Sequence, residues 1–207
     1  MPRSIPAEVE DWYARGATHF EETYLPQQDP WRQSGHFGSE ADWEALRRPI
    51  ADCIERPGHF LDIGCANGYL LECLLRWTAE RGLAIEPWGL EISTRLVELA
   101  RQRLPDARGR LFAGNSLSFV PPRSFDYVRT GLHYAPAPYV RRHLQRLRER
   151  FLAPEGRLLV VEYRGGDSPA ELTVDRKLAQ LGFPVSEVRS ARDSQGAEGV
   201  RIAVIAP

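Results

Sequence analysis

An acidic residue followed by two closely spaced glycines is the arrangement in this chain with the clearest chemical use. Asp62 ends a short apolar run that begins at Phe60, and Gly64 and Gly68 bracket the turn that follows. Glycine adopts backbone conformations closed to other residues and lets a ligand approach the main chain closely. A carboxylate beside such a turn accepts hydrogen bonds from a cationic or hydroxylated ligand. These residues therefore predict a binding site at the end of a strand.

The elements around this turn are those that open a nucleotide-binding βαβ unit. Phe60 to Ile63 predicts a strand, and leucines at helical spacing over residues 70–75 predict the helix after the turn. The order D-x-G-x-x-x-G differs from the G-x-G-x-x-G of dinucleotide sites, where a helix N-terminus faces a pyrophosphate. A carboxylate here repels phosphate and suits an ammonium group. A nicotinamide-dependent oxidoreductase is therefore the less favoured interpretation.

A second acid, Glu91, ends the next predicted strand, Trp88 to Ile92. An acid at this point of a nucleotide-binding βαβ fold binds the ribose hydroxyls. Ser93 follows it as the predicted N-cap of a helix. The alternative for Glu91 is a solvated strand end without a ligand. Its spacing from Asp62 and the glycine turn favours the ribose role.

The acid followed by a glycine-rich turn resembles the first motif of the class I S-adenosylmethionine-dependent methyltransferases. The resemblance covers residues 59–206 and implies S-adenosylmethionine as the cofactor. It implies that Asp62 and the turn bind the methionine part, and that Glu91 binds the ribose. The expected cofactor-binding residues are Asp62, Gly64, Cys65, Ala66, Gly68, Glu91, Ile92, Asn115, Ser116, Leu117 and Thr130.

The loop after the third predicted strand departs from the family pattern. The family often has an aspartate there to accept a hydrogen bond from adenine, and this chain has Asn115. The amide oxygen of Asn115 can accept the same bond. The alternative is an asparagine that stabilises a turn of its own backbone.

His133 is the candidate general base for the methyl acceptor. It follows the fourth predicted strand, and histidine is the side chain whose ordinary pKa lies near neutrality. The alternative is a histidine that stabilises this loop. His36 is the second candidate, and His143, within an arginine-rich helix, is expected to be solvated.

Candidate substrate contacts lie in the irregular N-terminal segment and after two strands. Aromatic side chains there can form apolar walls, and an arginine can bind an acidic group, although a solvated loop is the alternative for that arginine. The expected substrate residues are Trp31, His36, Tyr134 and Arg164, and Tyr24 and Phe37 are further candidates for the walls.

The whole pattern predicts an α/β protein with a doubly wound, mostly parallel seven-stranded sheet, an antiparallel last strand and an N-terminal helical cap. We expect residues 1–58 to form the cap and substrate lid, and residues 59–207 to form the cofactor-binding core. A turn is expected at Pro154–Gly156, a helix over residues 169–181 and a closing hairpin around Asp193–Gly196.

Composition sets bounds on partners and location. The chain has 207 residues and a formal net charge of -1, which gives no reason to expect nucleic acid or an anionic membrane. No apolar run reaches the roughly 18 residues of a spanning helix, so a cytoplasmic protein is expected. Three cysteines lack metal-ligand spacing, and no metal site is expected. A monomer or homodimer is expected.

The sequence thus predicts an S-adenosylmethionine-dependent methyltransferase that methylates an oxygen or nitrogen of a small molecule. A protein that binds the cofactor without catalysis is one alternative. An RNA methyltransferase is another, but the basic helix over residues 141–150 has no interleaved aromatic residue and is predicted to lie on a flank of the sheet. Transfer of an aminopropyl group is a further alternative, for which the expected acidic residues are not evident.

Overall fold

A computed structural model describes residues 5–164 and 172–206, and within them the chain forms a seven-stranded sheet. The strands are β1 Gly58–Ile63, β2 Ile85–Glu91, β3 Leu111–Ala113, β4 Phe125–Thr130, β5 Leu152–Tyr163, β6 Glu187–Arg192 and β7 Glu198–Ile205. Their order across the sheet is β3-β2-β1-β4-β5-β7-β6. β7 runs antiparallel to both of its neighbours, and the pairs formed by β1 to β5 are parallel. The predicted fold class is confirmed.

Helices connect these strands on both faces of the sheet. They are α1 Ala7–Tyr24, α2 Glu40–Asp52, α3 Tyr69–Ala79, α4 Thr94–Arg103, α5 Val140–Arg150 and α6 Val174–Gln180. Ser39 caps α2 by accepting a hydrogen bond from the Asp42 backbone N–H, and Ser93 caps α4 by accepting one from Leu96 N–H. The predicted Ser93 cap is confirmed, and each of the two caps satisfies a backbone donor that the helix itself leaves unpaired.

The sheet is buried on both faces. Phe60 of β1 belongs to a core shared with α2, α3 and α4, whereas its neighbour Leu61 belongs to a core shared with α5 and α6. This alternation follows from the two-residue period of a strand. Because both faces are covered, β5 can carry the continuous apolar run Leu158–Val161, which is fully buried.

The N-terminal helix α1 covers the carboxyl ends of the strands. Val9 and Tyr13 on its apolar face form a small core with Leu117, after β3, and Ala135, after β4. The turn of α1 that carries Gly16 approaches Ile92, because a Cβ added at Gly16 would lie 3.3 Å from the Ile92 side chain. The strand order switches between β1 and β4, and this switch opens a crevice at the edge of the sheet. α1 therefore covers this crevice, and we call α1 the roof.

Two expected elements differ from the structure. The predicted turn at Pro154–Gly156 lies inside β5 as an irregularity, because Phe125 pairs with Leu152 while Tyr127 pairs with Arg157. The helix expected over residues 169–181 begins at Val174, and its first three expected positions lie outside the described residues. The division of the chain after residue 58 stays a prediction.

Candidate active site

A cavity of about 400 Å³ lies where the carboxyl ends of β1, β2, β3 and β4 meet α1. This is the size of a small-molecule site, and it lies at the switch point expected for ligands of an open α/β sheet. Eight of the expected cofactor residues line it: Asp62, Gly64, Cys65, Ala66, Glu91, Ile92, Asn115 and Ser116. The structure therefore brings together most of the residues that the sequence singles out.

The glycine turn has the backbone geometry that its sequence predicts. Gly64 has a φ of 75° and Gly68 a φ of 77°, both in the left-handed region that favours glycine. A Cβ added at Gly64 would lie 3.0 Å from the ring of Tyr134, so that ring covers the backbone of the turn. Gly68 is not part of the cavity lining, since it caps α3 and a Cβ there would lie 3.1 Å from Ala100.

Asp62 is buried and forms an ion pair with Arg129 across neighbouring strands. Arg129 Nη1 donates to Asp62 Oδ1 over 3.0 Å, while Asp62 Oδ2 is buried without a partner among the described residues. Burial raises the pKa of Asp62, and the charge and hydrogen bond of Arg129 act against that rise. Both side chains line the cavity. One carboxylate oxygen is therefore available to a ligand there.

Glu91 holds the first turn of α4 and the glycine turn in place. Its Oε2 accepts a hydrogen bond from Ala66 N–H and its Oε1 accepts one from Ser93 N–H, each over 3.0 Å. Burial raises the pKa of Glu91, and the backbone donors of Ser93 and Ala66 oppose the rise. Each carboxylate oxygen has a second lone pair that can accept from a ligand hydroxyl. The ribose role stays a prediction.

Asn115 forms a turn with its own backbone. Its Oδ1 accepts hydrogen bonds from Leu117 N–H over 3.0 Å and from Ser118 N–H over 3.1 Å. The prediction that this oxygen accepts from adenine is therefore at odds with its two backbone partners. Asn115 still lines the cavity, and its amide N–H₂ has no protein partner among the described residues. It can act as a donor to the ligand.

The expectation that His143 is solvated is wrong. The residue is fully buried in α5, with Nδ1 2.7 Å from Ser116 Oγ and Nε2 2.9 Å from Thr130 Oγ1. Burial lowers the pKa of His143 to about 4, so the ring is neutral at pH 7. It joins α5 to the loop after β3 and to the end of β4. Thr130 and Leu117, both expected at the cofactor, are buried behind the cavity wall and do not line it.

His133 lies on the rim of the cavity, where it is exposed. Its ring folds back over Gly131 and makes an edge contact with Tyr134, with centroids 4.4 Å apart. Desolvation on the cavity side and the positive charge of Arg129 lower the pKa of His133 to about 4. This differs from the near-neutral pKa on which the prediction of a general base depends.

Of the four expected substrate residues, Tyr134 lines this cavity, and so does Tyr24, one of the two further candidates for the walls. Trp31 packs against the core and donates from Nε1 to Gly38 O over 3.2 Å. His36 and Arg164 line a second, more open cavity of about 360 Å³, and Arg164 pairs there with Glu162 and Glu198. These three residues do not line the first cavity, and their role in binding a substrate stays a prediction. Phe37 is 52% exposed and lines neither cavity.

Several cavity residues are not found by sequence reasoning. α1 contributes aromatic side chains, and the interiors of α2 and β4 contribute two buried arginines. These residues are Trp12, Tyr13, Phe20, Arg47 and Arg129. The aromatic spacing in residues 12–24 indicates an amphipathic helix but not what that helix covers.

Comparison with known proteins agrees with this geometry. Residues 60–156 match the sequence profile of a methyltransferase domain family. The chain contains a class I S-adenosylmethionine-dependent methyltransferase domain. No curated protein sequence matches the chain.

Solved structures, several of them named as methyltransferases, share the fold. The Burkholderia thailandensis 1,6-didemethyltoxoflavin N1-methyltransferase, with bound 1,6-didemethyltoxoflavin and S-adenosylhomocysteine, is 17% identical with a TM-score of 0.69, over 99% of this chain and 93% of that one. The PH0226 protein of Pyrococcus horikoshii is 16% identical with a TM-score of 0.62, over 91% and 98%. A methyltransferase from Aquifex aeolicus is 13% identical with a TM-score of 0.58, over 86% and 100%.

S-adenosylmethionine is the cofactor of this methyltransferase. The residues present fit it on two observations. The unpaired Asp62 Oδ2 suits a cationic ligand, and Gly64, with a φ of 75°, lines the cavity without a side chain of its own.

Two further findings concern other kinds of site. In the described residues, no group of three or more His, Cys, Asp or Glu side chains is placed to hold a metal ion. Across the same residues, every helix is too short or too polar to span a membrane.

Proposed function

We propose that this methyltransferase transfers the methyl group of S-adenosylmethionine to an oxygen or nitrogen of a small molecule. The observation that carries the proposal is the roof that α1 forms over the cavity. Trp12, Phe20 and Tyr24 of α1 face the glycine turn across a space of about 400 Å³. Such a space suits a small, flat acceptor and excludes water from the transfer.

We assign the cofactor contacts from the partners that the protein leaves free. Asp62 Oδ2 accepts from the ammonium group, and Glu91 accepts from the ribose hydroxyls with its remaining lone pairs. The amide of Asn115 and the backbone beside Ser116 face the adenine. The sulfonium of the bound cofactor supplies a methyl group that is already activated.

The chain's own residues then orient the acceptor and handle its proton. The edge of the Tyr134 ring over Gly64 limits where a flat molecule can lie. His133 is neutral at pH 7 and can accept a hydrogen bond from an acceptor N–H or O–H at the rim. It takes the proton as the new bond to carbon forms. Because its pKa is lowered, His133 acts mainly by orientation and as a weak base.

The Burkholderia thailandensis neighbour is an N1-methyltransferase of 1,6-didemethyltoxoflavin and holds that compound in its structure. That neighbour, which shares the fold, supports a small-molecule acceptor here. The basic helix α5 does not support an RNA substrate. Its Arg146 donates to the backbone carbonyls of Ser116 and Phe119, so this side chain stabilises the loop after β3.

Calorimetry followed by a turnover assay tests the proposal. We expect S-adenosylmethionine and S-adenosylhomocysteine to bind with one site per chain, and NADH not to bind. Release of S-adenosylhomocysteine is then measured with a panel of small phenols and N-heterocycles. Binding of NADH without binding of S-adenosylmethionine would overturn the proposal. Tight cofactor binding with no turnover on any acceptor would favour a non-catalytic binding protein.

A further inference from the structure

Arg47 is a buried cation at the junction of the two cavities. It lies in α2 with 7% of its surface exposed, and it lines both cavities. Its guanidinium carbon is 4.3 Å from the ring centroid of Tyr163 and 5.0 Å from that of Trp43. These two rings hold the guanidinium group in one place. Less side-chain entropy of Arg47 is therefore lost when a ligand binds it.

Among the residues that the structure describes, the guanidinium group of Arg47 has no acidic partner. Its one hydrogen bond within the described residues is a long one, 3.5 Å from Nη1 to the Trp43 carbonyl of its own helix. No carboxylate of those residues lies within 4.0 Å of it, whereas Arg129 pairs with Asp62. A buried cation without a partner is costly, and burial lowers the pKa of Arg47 accordingly.

The charges around Arg47 do not supply the missing anion. Arg129 faces it with the same sign, and the phenol rings of Tyr24, Tyr134 and Tyr163 surround it. Asp42 and Asp193 line the second cavity with Arg47, but both carboxylates are engaged by other groups. Asp42 is bonded to Ser39, and Asp193 Oδ1 accepts from the backbone of residues 195 and 197.

Arg47 lies at the end of the first cavity that adjoins the second one. Gly35, Arg47 and Tyr163 line both cavities, while no residue of the glycine turn, nor Glu91 or Asn115, lines the second one. Arg47 therefore marks the end of the first cavity that α2 and β5 form. Aromatic rings of Tyr24, Trp43 and Tyr163 surround that end.

We propose that Arg47 binds the carboxylate of an aromatic acid that is the methyl acceptor. The inference rests on the proposed function and names its substrate class. The carboxylate accepts paired hydrogen bonds from the guanidinium fork, and the aromatic ring of the acid packs on the surrounding rings. The carboxylate also supplies the negative counter-charge that Arg47 lacks. The site should therefore select an acid over its neutral analogue.

The test compares benzoate with benzamide as probes on the protein saturated with S-adenosylhomocysteine. Saturation-transfer NMR is expected to show benzoate bound at least tenfold more tightly than benzamide. Arg47→Met is expected to remove this preference and to change the affinity for S-adenosylmethionine, measured by calorimetry, less than threefold. Arg48→Met is the matched control, because Arg48 lies next to it in α2 but pairs with Glu80 on the surface.

The remaining outcomes overturn the inference. Equal binding of benzoate and benzamide by the natural protein would do so, and this comparison needs no variant to fold. A tenfold loss of S-adenosylmethionine affinity in Arg47→Met, with benzoate binding kept, would assign Arg47 to the cofactor's own carboxylate. If the natural protein fails to bind S-adenosylmethionine at all, the proposed function fails first, and calorimetry reports that separately.

Discussion

Asp62 of β1 and Arg129 of β4 are register partners in adjacent parallel strands, and their side chains form a buried ion pair at the cavity wall. Parallel neighbours project their side chains to the same face, so the pairing follows from the strand register. Arg129 also donates from Nη2 to the Tyr163 hydroxyl over 3.3 Å. The acid ahead of the glycine turn is thus neutralised within the protein, and one oxygen remains for the cofactor.

This ion pair predicts a large cost when one partner is removed. Arg129→Met leaves the Asp62 carboxylate buried without a counter-charge, and we expect the free energy of unfolding to fall by about 3–5 kcal/mol. Asp62→Asn combined with Arg129→Met is expected to recover more than half of that loss. Urea denaturation followed by circular dichroism measures both.

The exposed Arg76 provides the control for that comparison. Its side chain is 59% exposed and lies 3.8 Å from Glu44, so Arg76→Met is expected to change stability by less than about 1 kcal/mol. If Arg129→Met costs no more than Arg76→Met, then the pair contributes little and Asp62 is held by other contacts.

The glycine turn makes a prediction about cofactor affinity. Gly64→Ala places a Cβ 3.0 Å from the Tyr134 ring at a residue with a φ of 75°, so it adds backbone strain and presses on a ring that lines the cavity. We expect S-adenosylmethionine affinity to fall at least tenfold. Gly82→Ala is matched in strain, with a φ of 70°, but a Cβ there meets nothing within 4 Å. Calorimetry on both variants is the measurement, and equal losses of affinity would show that strain alone is responsible.

Local sequence signals predict the parts of the site that short segments build. The turn with Gly64 and the Ser93 cap depend on backbone needs of a few consecutive residues, and both are found where the sequence places them. The pair between Asp62 and Arg129 depends on strand register, which the apolar pattern of a doubly buried strand does not specify. Arg129 lies inside a strand pattern and carries no local signal of a partner.

The burial of His143 is a second feature that local sequence does not predict. His143 lies among arginines in sequence, and that composition suggests solvent. The apolar stripe of α5 turns His143 inward, where Ser116 and Thr130 happen to supply one hydroxyl to each ring nitrogen. Neither of those partners is near it in sequence. Likewise, α1 is predictable as a helix, but its role as the roof depends on tertiary packing.

The buried His143 predicts a pH-dependent stability. Its pKa of about 4 in the folded protein lies below the ordinary value of 6.5, so its contribution is complete above pH 6.5 and is lost as pH falls towards 4. From those two pKa values, His143 should lose about 2 kcal/mol of stabilisation between pH 7.5 and pH 5. His143→Gln removes the titrating group and one of its two hydrogen bonds.

Urea denaturation at the two pH values measures this effect. The natural protein is expected to be more stable than His143→Gln at pH 7.5, and the difference should shrink by about 2 kcal/mol at pH 5. His19→Gln, which replaces an exposed histidine, controls for the loss of a histidine as such. A stability difference that stays constant with pH would contradict a neutral, buried His143.

The attachment of α1 predicts how the roof controls access. Ser93 Oγ donates to Glu21 Oε1 over 2.7 Å, and the Tyr13 hydroxyl donates to the Tyr134 carbonyl over 3.1 Å. Glu21→Ala removes the first tie but leaves the Ser93 cap of α4, since Ser93 still accepts from Leu96 N–H. A hydrogen bond to a charged group contributes about 1.5–3 kcal/mol, so amide exchange in α1 should speed up about tenfold or more.

Hydrogen–deuterium exchange with mass spectrometry measures this change, with the peptides of α3 and β5 as internal references. Glu22→Ala is the matched control, because Glu22 is exposed on the same helix and has no hydrogen bond or ion pair within the described residues. Dissociation of S-adenosylhomocysteine from Glu21→Ala should also be faster, since a looser roof releases the ligand sooner. Faster exchange in α1 with an unchanged dissociation rate would show that the ligand does not leave past α1. It would then leave through the side of the first cavity that is next to the second cavity, where Arg47 and Tyr163 line both.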